Sequence, residues 1–350
     1  MNAAENHPAL RLLAALLDAP SPSGWEDALA ALVRARLSEL GYAPETDGAG
    51  NVLVRLAGTQ PGAPLVCYAA HMDEIGMTVH SIEPDGALRV ERLGGLFPWK
   101  LGESPVQVLG DVTPVVGILS MGAGHGSAGE RALQWGDVRV ITGRTPDQLA
   151  AAGVRPGSPA VPTRAMRGPL LLGDPADPLI AAWTFDDRMG VVTLLRLLED
   201  AARTGWQPAA PTIVAFTVQE EVGGLGAKVL AQRERPAVFI AVDGSPITPG
   251  APLALDGRPG LWTHDRLAPY DPRLIRDLMA AARAVGTAAQ PVAYTVSASD
   301  ASLVYAAGAT ARIACFGHVR ANSHGYEVAR LAVFDNVLRT LVHFARTWSG

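Results

Sequence analysis

The stretch Pro211-Thr-Ile-Val-Ala-Phe-Thr-Val-Gln-Glu-Glu ends in two adjacent carboxylates, Glu220 and Glu221, and Gly223, Gly224 and Gly226 follow. Residues 212–218 are apolar and β-branched, the pattern of a buried strand. Carboxylates at the end of such a strand are costly unless a positive charge meets them. No Lys or Arg lies between Arg203 and Lys228, so the local chain offers no partner. A metal would: one Glu can bind it while its neighbour acts as a base on water. Taken alone, a Glu-Glu pair reads more simply as two solvated groups capping the helix that follows.

Other strand ends shift that balance. Pro64-Leu-Val-Cys-Tyr-Ala-Ala runs into His71-Met-Asp73-Glu74-Ile-Gly76. His71 and Asp73, two apart on extended backbone, point to one side, a spacing that suits a ligating imidazole with a carboxylate to orient it. Asp186-Asp187-Arg188 precedes a helix that begins near Met189. These acids either bridge cations or cap the helix. Val238-Phe-Ile-Ala-Val-Asp243 is another apolar run ending in an acid, and Asn322-Ser323-His324-Gly325-Tyr326-Glu327 precedes an amphipathic helix. Ligands of open α/β sheets bind at the carboxyl ends of strands. Taken together, the set is His71, Asp186, Glu221, Asp243 and His324, with Asp73 and Glu220 beside them; the choice of Asp186 over Asp187 rests on the resemblance given next. Imidazoles and carboxylates in this mixture suit a pair of zinc, cobalt or manganese ions with one carboxylate bridging. The lack of a thiolate argues against a structural zinc knot. A paired-metal site with a free carboxylate nearby fits amide hydrolysis.

In this order, His71-Met-Asp73-Glu74-Ile-Gly76, Phe185-Asp186-Asp187-Arg188, Gln219-Glu220-Glu221-Val-Gly, Asp243 and His324 resemble the motifs of the tetrahedral (TET) and glutamyl aminopeptidases, over nearly the whole chain from about Leu12 to Leu341. The resemblance implies that His71 and Asp243 each bind one metal and that Asp186 bridges the pair. It implies that Glu221 and His324 complete the two shells, that Glu220 is the general base, and that Asp73 orients His71 or tunes the metal. Two divalent ions per chain follow, zinc or cobalt, with manganese as the alternative. The family's substrates are peptides, and its assembly is a homo-oligomer built from dimers, up to a dodecamer. A cis peptide after Asp186 is also implied. The chain departs from the family where many members carry His-Ser/Thr-Pro-Val-Glu and it has His324-Gly325-Tyr326-Glu327, and where Ser299-Asp300-Ala301 replaces Thr-Asp-Ala. The expected function is a metal-dependent aminopeptidase acting on short peptides. The alternatives are an N-acyl amino acid or peptide deacylase on the same metals, and a non-catalytic assembly protein. Retention of Glu220 weighs against the last.

Positioning these residues requires an α/β fold, a mixed central sheet covered by helices on both faces. Helices are expected over 8–18, 188–202, 226–232, 272–285, 301–307 and 329–348. Ser23-Gly-Trp-Glu26 has the form of a capping box for a helix that Gly41 stops. Strands are expected at 51–56, 65–70, 211–218, 237–242, 291–296 and 311–315. Residues 77–164 differ in texture: they are rich in Gly and Pro, with short strand-like runs and one helix at 145–152. They read as a small β-rich domain inserted between 1–76 and 165–350. In the family that insertion is a PDZ-like dimerisation domain.

Composition excludes several other classes. The chain has 350 residues, 48% hydrophobic, with a formal charge of -5, which argues against nucleic-acid or anionic-membrane binding. No run of about 18 apolar residues suggests a spanning helix, and Met1-Asn-Ala-Ala-Glu-Asn-His lacks the features of a signal peptide. Cys67 and Cys315 lie in apolar runs and read as inert core residues, so a cytoplasmic location is expected. Gly122-Ala-Gly-His125-Gly-Ser lacks the strand and helix context of a nucleotide site and reads as a loop. No Gly-x-Ser-x-Gly elbow surrounds Ser23, Ser127 or Ser323. His80, His264, His318 and His343 read as surface or packing residues, and Trp262 as a pocket candidate.

Overall fold

The computed structural model describes residues 6–122 and 132–350. Apolar runs at Val66–His71, Thr212–Thr217 and Val238–Ala241 have every residue buried, as strands covered on both faces must. They sit at the centre of an eight-stranded mixed sheet in the order Glu45–Thr46, Val52–Leu56, Thr212–Thr217, Val66–His71, Val238–Ala241, Arg312–Gly317, Gly260–His264, Gln290–Ala293. The central four strands run parallel, and Val52–Leu56 and Gly260–His264 flank them antiparallel.

Alternation along the strands divides the core. Val66, Tyr68 and Ala70 pack with helices Pro8–Leu17, Asp27–Glu39, Phe185–Thr204, Pro272–Ala284 and Ala332–Thr347. Cys67 and Ala69 face Leu225–Glu234 and Asp300–Ala306 on the other side. Both cysteines are free and buried. A second sheet, ordered Leu170–Leu172, Leu179–Trp183, Tyr326–Arg330, Val319–Ala321, Ser245–Pro246, lies at one end. A closed six-stranded barrel, Gly76–Ile82, Leu88–Leu93, Arg139–Ile141, Val115–Ser120, Pro105–Val108 and Pro159–Pro162, has its own apolar core around Val79, Val90, Val106 and Val140. Helix Pro146–Ala151 carries a Thr145 capping box.

A buried ion cluster lies where the chain enters and leaves the barrel. Arg167 donates to both Glu74 carboxylate oxygens at 2.6 Å, Trp183 Nε1 donates to the same carboxylate at 2.9 Å, and Ser21 N–H at 2.8 Å. Arg188 lies 3.5 Å away and donates to the Met72 and Ala19 carbonyls.

Two local expectations fail for tertiary reasons. Ser23 does not cap a helix: its hydroxyl donates to Asp73 at 2.7 Å, and Glu26 accepts from the backbone of Gly24 and Gln219. The last helix begins at Ala332 rather than near 329, because Tyr326–Arg330 is claimed as a strand by Leu179–Trp183. No described helix is long and apolar enough to cross a membrane. Residues 1–5 and the glycine-rich run beyond Gly122, including His125 and Ser127, lie outside the described residues.

Candidate metal centre

Three parallel strands bring the chemistry to one edge. Thr217 pairs with His71, and Ala241 with Ala69, so the carboxyl ends of all three strands coincide. His71 is the last residue of its strand. Glu220 and Glu221 follow Thr212–Thr217 through Gln219, whose φ of 58° turns the chain. Asp243 lies just past Val238–Ala241. Asp186 stands at the start of Phe185–Thr204, where the backbone departs from helix (φ -79°, ψ 105°) and the Asp186–Asp187 peptide is cis. Asp187 Oδ1 accepts from Gly190 N–H at 2.9 Å, while the carboxylate of Asp186 lies near ligand atoms of His71, Asp243, Glu221 and His324. His324 reaches in from the loop between Val319–Ala321 and Tyr326–Arg330, with φ 59°.

Ligand atoms of His71, Asp186 and Asp243 lie within 4.8 Å of one another, and so do those of Asp186, Glu221 and His324. Asp186 is common to both groups. His71, Glu220 and Glu221 form a third such group. The seven residues singled out in the sequence, Asp73 included, thus converge on one cavity of about 370 Å³ and its floor.

Asp73 does more than its position suggests. His71 Nδ1 is 3.1 Å from the Asp73 carbonyl and 3.4 Å from its carboxylate. The same carboxylate accepts from the backbone N–H groups of Glu220 and Glu221, at 2.9 and 3.1 Å. One buried acid therefore orients an imidazole and clamps the turn that carries both glutamates. Arg320 and Glu327 do the same for Asp186. Arg320 donates to the Asp186 and Glu327 carboxylates, and Asp186 N–H donates to Glu327 at 2.9 Å. Neither residue stands at an apolar strand's end, so the pattern that found the others passes them by. Glycine makes room at two points. A Cβ on Gly244 would collide with Arg320 Nε, and one on Gly95 would lie 2.6 Å from the His324 ring.

Burial opposes the charge on Asp186, but Arg320 and the two imidazoles outweigh it and hold its pKa well below the carboxylate range; Asp243, Glu221 and Glu220 move the opposite way. Burial, reinforced by Asp186, pushes Asp243 up to about 7, and burial also lifts Glu221 to about 7 against the pull of His324. Burial lifts Glu220 well above the carboxylate range; His71 opposes this and Glu221 adds to it. Glu221 holds His324 at about 10. Glu221 Oε1 is buried with no hydrogen-bond partner. His324 Nε2 stands 3.5 Å from both Asp186 and Glu221, too far for a good hydrogen bond. Imidazoles and carboxylates aimed at common points with an orphaned oxygen fit divalent cations, which would reverse these upward shifts.

The family model described as M42 glutamyl aminopeptidase matches residues 50–339. The glutamyl aminopeptidase of Lactococcus lactis subsp. cremoris is 34% identical over 238 residues, which cover 66% of this chain and 65% of that protein, just under two thirds of its length. An aminopeptidase from the archaeon Desulfurococcus kamchatkensis superposes with a TM-score of 0.87 at 25% identity, covering 97% of this chain and 95% of the other. The TET1 peptidase of Pyrococcus horikoshii, described as able to assemble into a tetrahedron or a large octahedral shell, has the same fold, with a TM-score of 0.85 at 24% identity over 97% of this chain and 100% of its own.

Proposed function

Because this chain belongs to the M42 glutamyl aminopeptidase family, we propose that it is a metal-dependent aminopeptidase that removes amino-terminal residues from short peptides. The observation that carries the reading is the pair of ligand groups sharing Asp186. His71, Asp243 and Asp186 would hold one divalent ion, and Asp186, Glu221 and His324 a second. Zinc and cobalt suit these donors, with manganese the alternative. Such ions supply Lewis acidity to a scissile carbonyl and to a water.

The chain's own groups do the rest. Glu220 lies outside both groups that share Asp186, yet the Asp73 clamp holds it beside them. It takes the proton of the attacking water and passes it to the leaving amine. Asp73 fixes His71 and the Glu220–Glu221 turn together. Arg320 and Glu327 hold Asp186 by its carboxylate and its backbone.

The same reading assigns 1–76 and 165–350 to catalysis and 77–164 to association with a second copy. Val116, Ile118 and Ile141 support it. They lie exposed on adjacent barrel strands, with Ile118 paired directly to Ile141.

The test is hydrolysis of an amino-acyl p-nitroanilide panel by chelated protein, by protein restored with zinc, cobalt or manganese, and by Glu220→Gln. Release that needs metal and disappears in the variant is expected. Silence across the panel with metal bound would sink the proposal.

A further inference from the structure

Four consecutive backbone N–H groups, from Val218 to Glu221, are taken up by side chains from the amino-terminal part of the chain. Asn51 Oδ1 accepts from Val218 at 3.1 Å and Glu26 Oε1 from Gln219 at 3.1 Å, while the Asp73 carboxylate accepts from Glu220 and Glu221 at 2.9 and 3.1 Å. Backbone donors in a buried segment need partners, and a neighbouring strand or a helix ordinarily supplies them. This segment can use neither, because Gln219 turns with φ 58°, a left-handed conformation that a residue with a side chain keeps only when its surroundings hold it.

The three anchors differ in what else they do. Asn51 is also bonded to Asp47 at 2.8 Å and to the Gly226 carbonyl at 2.9 Å, which ties the two ends of the turn together. Asp73 is shared with Ser23 and His71. Glu26 is buried and has no Lys, Arg or His partner among the described residues. It directly precedes helix Asp27–Glu39, yet its side chain does not cap that helix. Its Oε1 accepts from Gly24 N–H at 2.9 Å as well as from Gln219. A buried acid without a cation is destabilising by itself, and Asp73 adds repulsion. What Glu26 secures in return is the strained residue next to Glu220.

We propose that Glu26 is a positioning residue, which fixes Gln219 and with it the direction in which Glu220 leaves the strand. Its part is geometric: an oxygen at the right reach is needed, and a charge is not. The inference rests on the base role proposed for Glu220 and concerns how that base is held.

The test measures kcat and KM on the amino-acyl p-nitroanilide cleaved fastest, in the unaltered protein, Glu26→Gln, Glu26→Asp and Glu26→Ala, all loaded to the same zinc content. Hydrogen–deuterium exchange at the Glu220 and Glu221 amides, which Glu26 does not touch, is followed in the same proteins. Glu26→Gln keeps an accepting oxygen at the same reach without the charge, and Glu26→Asp keeps the charge but withdraws the oxygen by one methylene. The expected result is kcat close to unaltered in Glu26→Gln. In Glu26→Asp and Glu26→Ala it should be at least about tenfold lower, with KM little changed, because misplacing a catalytic group by about 1 Å can cost ~10²-fold. Amide exchange should quicken in those two variants and not in Glu26→Gln. Full kcat in Glu26→Asp, or a Glu26→Gln protein that loses activity or does not fold, overturns the assignment. Should the unaltered protein cleave nothing, the aminopeptidase reading fails. Exchange then still decides Glu26: faster exchange in Glu26→Asp but not in Glu26→Gln supports its hold on the turn, and equal exchange overturns it.

Discussion

The Nδ1 atom of His324 lies 3.1 Å from the carbonyl oxygen of Gly95. In the neutral imidazole that a metal would require, donation from Nδ1–H to that carbonyl leaves Nε2 as the lone-pair nitrogen facing Asp186 and Glu221. Gly95 stands just beyond barrel strand Leu88–Leu93, and Lys100 of the following short helix donates to the Ser323 carbonyl at 3.1 Å. The segment that leaves the barrel strand therefore sets the tautomer and angle of one metal-ligand candidate.

Gly95→Ala should disturb this arrangement without unfolding the protein. The added methyl would meet the His324 ring at 2.6 Å. Metal affinity at one of the two positions should fall by at least about tenfold, the usual scale for losing a group that orients a ligand. Titration of chelated protein with zinc, with the folded state followed by circular dichroism, measures this. Two undiminished binding steps would show that His324 does not depend on Gly95.

Glu220 and Asp243 should separate chemistry from binding. Glu220→Gln is expected to keep its metal content and lose at least ~10²-fold in turnover. Asp243→Asn is expected to lose metal, because it weakens the group that Asp243 forms with His71 and Asp186. Elemental analysis beside the p-nitroanilide assay reads both. A Glu220→Gln protein with near-normal turnover would remove Glu220 from the base role.

Metal should also stabilise the fold, since its ligands come from strand ends and loops far apart in the chain. Free metal at a hundred times its dissociation constant contributes about 2.7 kcal/mol per site, if the unfolded chain does not bind it. Chelation should therefore lower the thermal midpoint, and restored zinc should raise it in the unaltered protein but not in Asp243→Asn. Identical midpoints with and without metal would argue against the assigned shells.

The Glu74–Arg167 pair carries a stability prediction away from the chemistry. Burial opposes the charge on Glu74, but Arg167 and Arg188 outweigh it and hold its pKa below the usual 4.5. In the native protein this contribution is present above that value and is lost as pH falls through the lower folded value. Arg167→Met leaves a buried carboxylate with Arg188 at 3.5 Å as its remaining cation among the described residues, beside the Trp183 and Ser21 donors, and should cost about 3 kcal/mol at neutral pH. In that variant the folded pKa of Glu74 moves upward, so the deficit should shrink as pH falls and Glu74 becomes neutral. Denaturant melts at pH 7 and pH 5 test the sign. A deficit that grows toward acid pH would contradict the account.

Much of the site was legible in the chain because it depends on local pattern. Unbroken apolar runs before His71, Glu220 and Asp243 mark buried strands, and it is the repetition of acids and imidazoles at several such ends, rather than any one of them, that points to chemistry. The same patterning placed the helices on both sheet faces. It failed wherever the partner is distant. Ser23 and Glu26 have the spacing of a capping box, but Asp73 and Gln219 compete for them and win once the strands are packed. The strand Tyr326–Arg330 exists because Leu179–Trp183, about 150 residues earlier, lies beside it. Arg320 meets Asp186 across 134 positions, and Asp73 clamps Glu220 across 147. The sequence by itself determined which residue types stand at the ends of which elements. Only the tertiary structure decided that Arg320 and Glu327 hold Asp186 and that Asp73 clamps the turn of Glu220 and Glu221, because strand order and loop path set those distances and no local pattern encodes them.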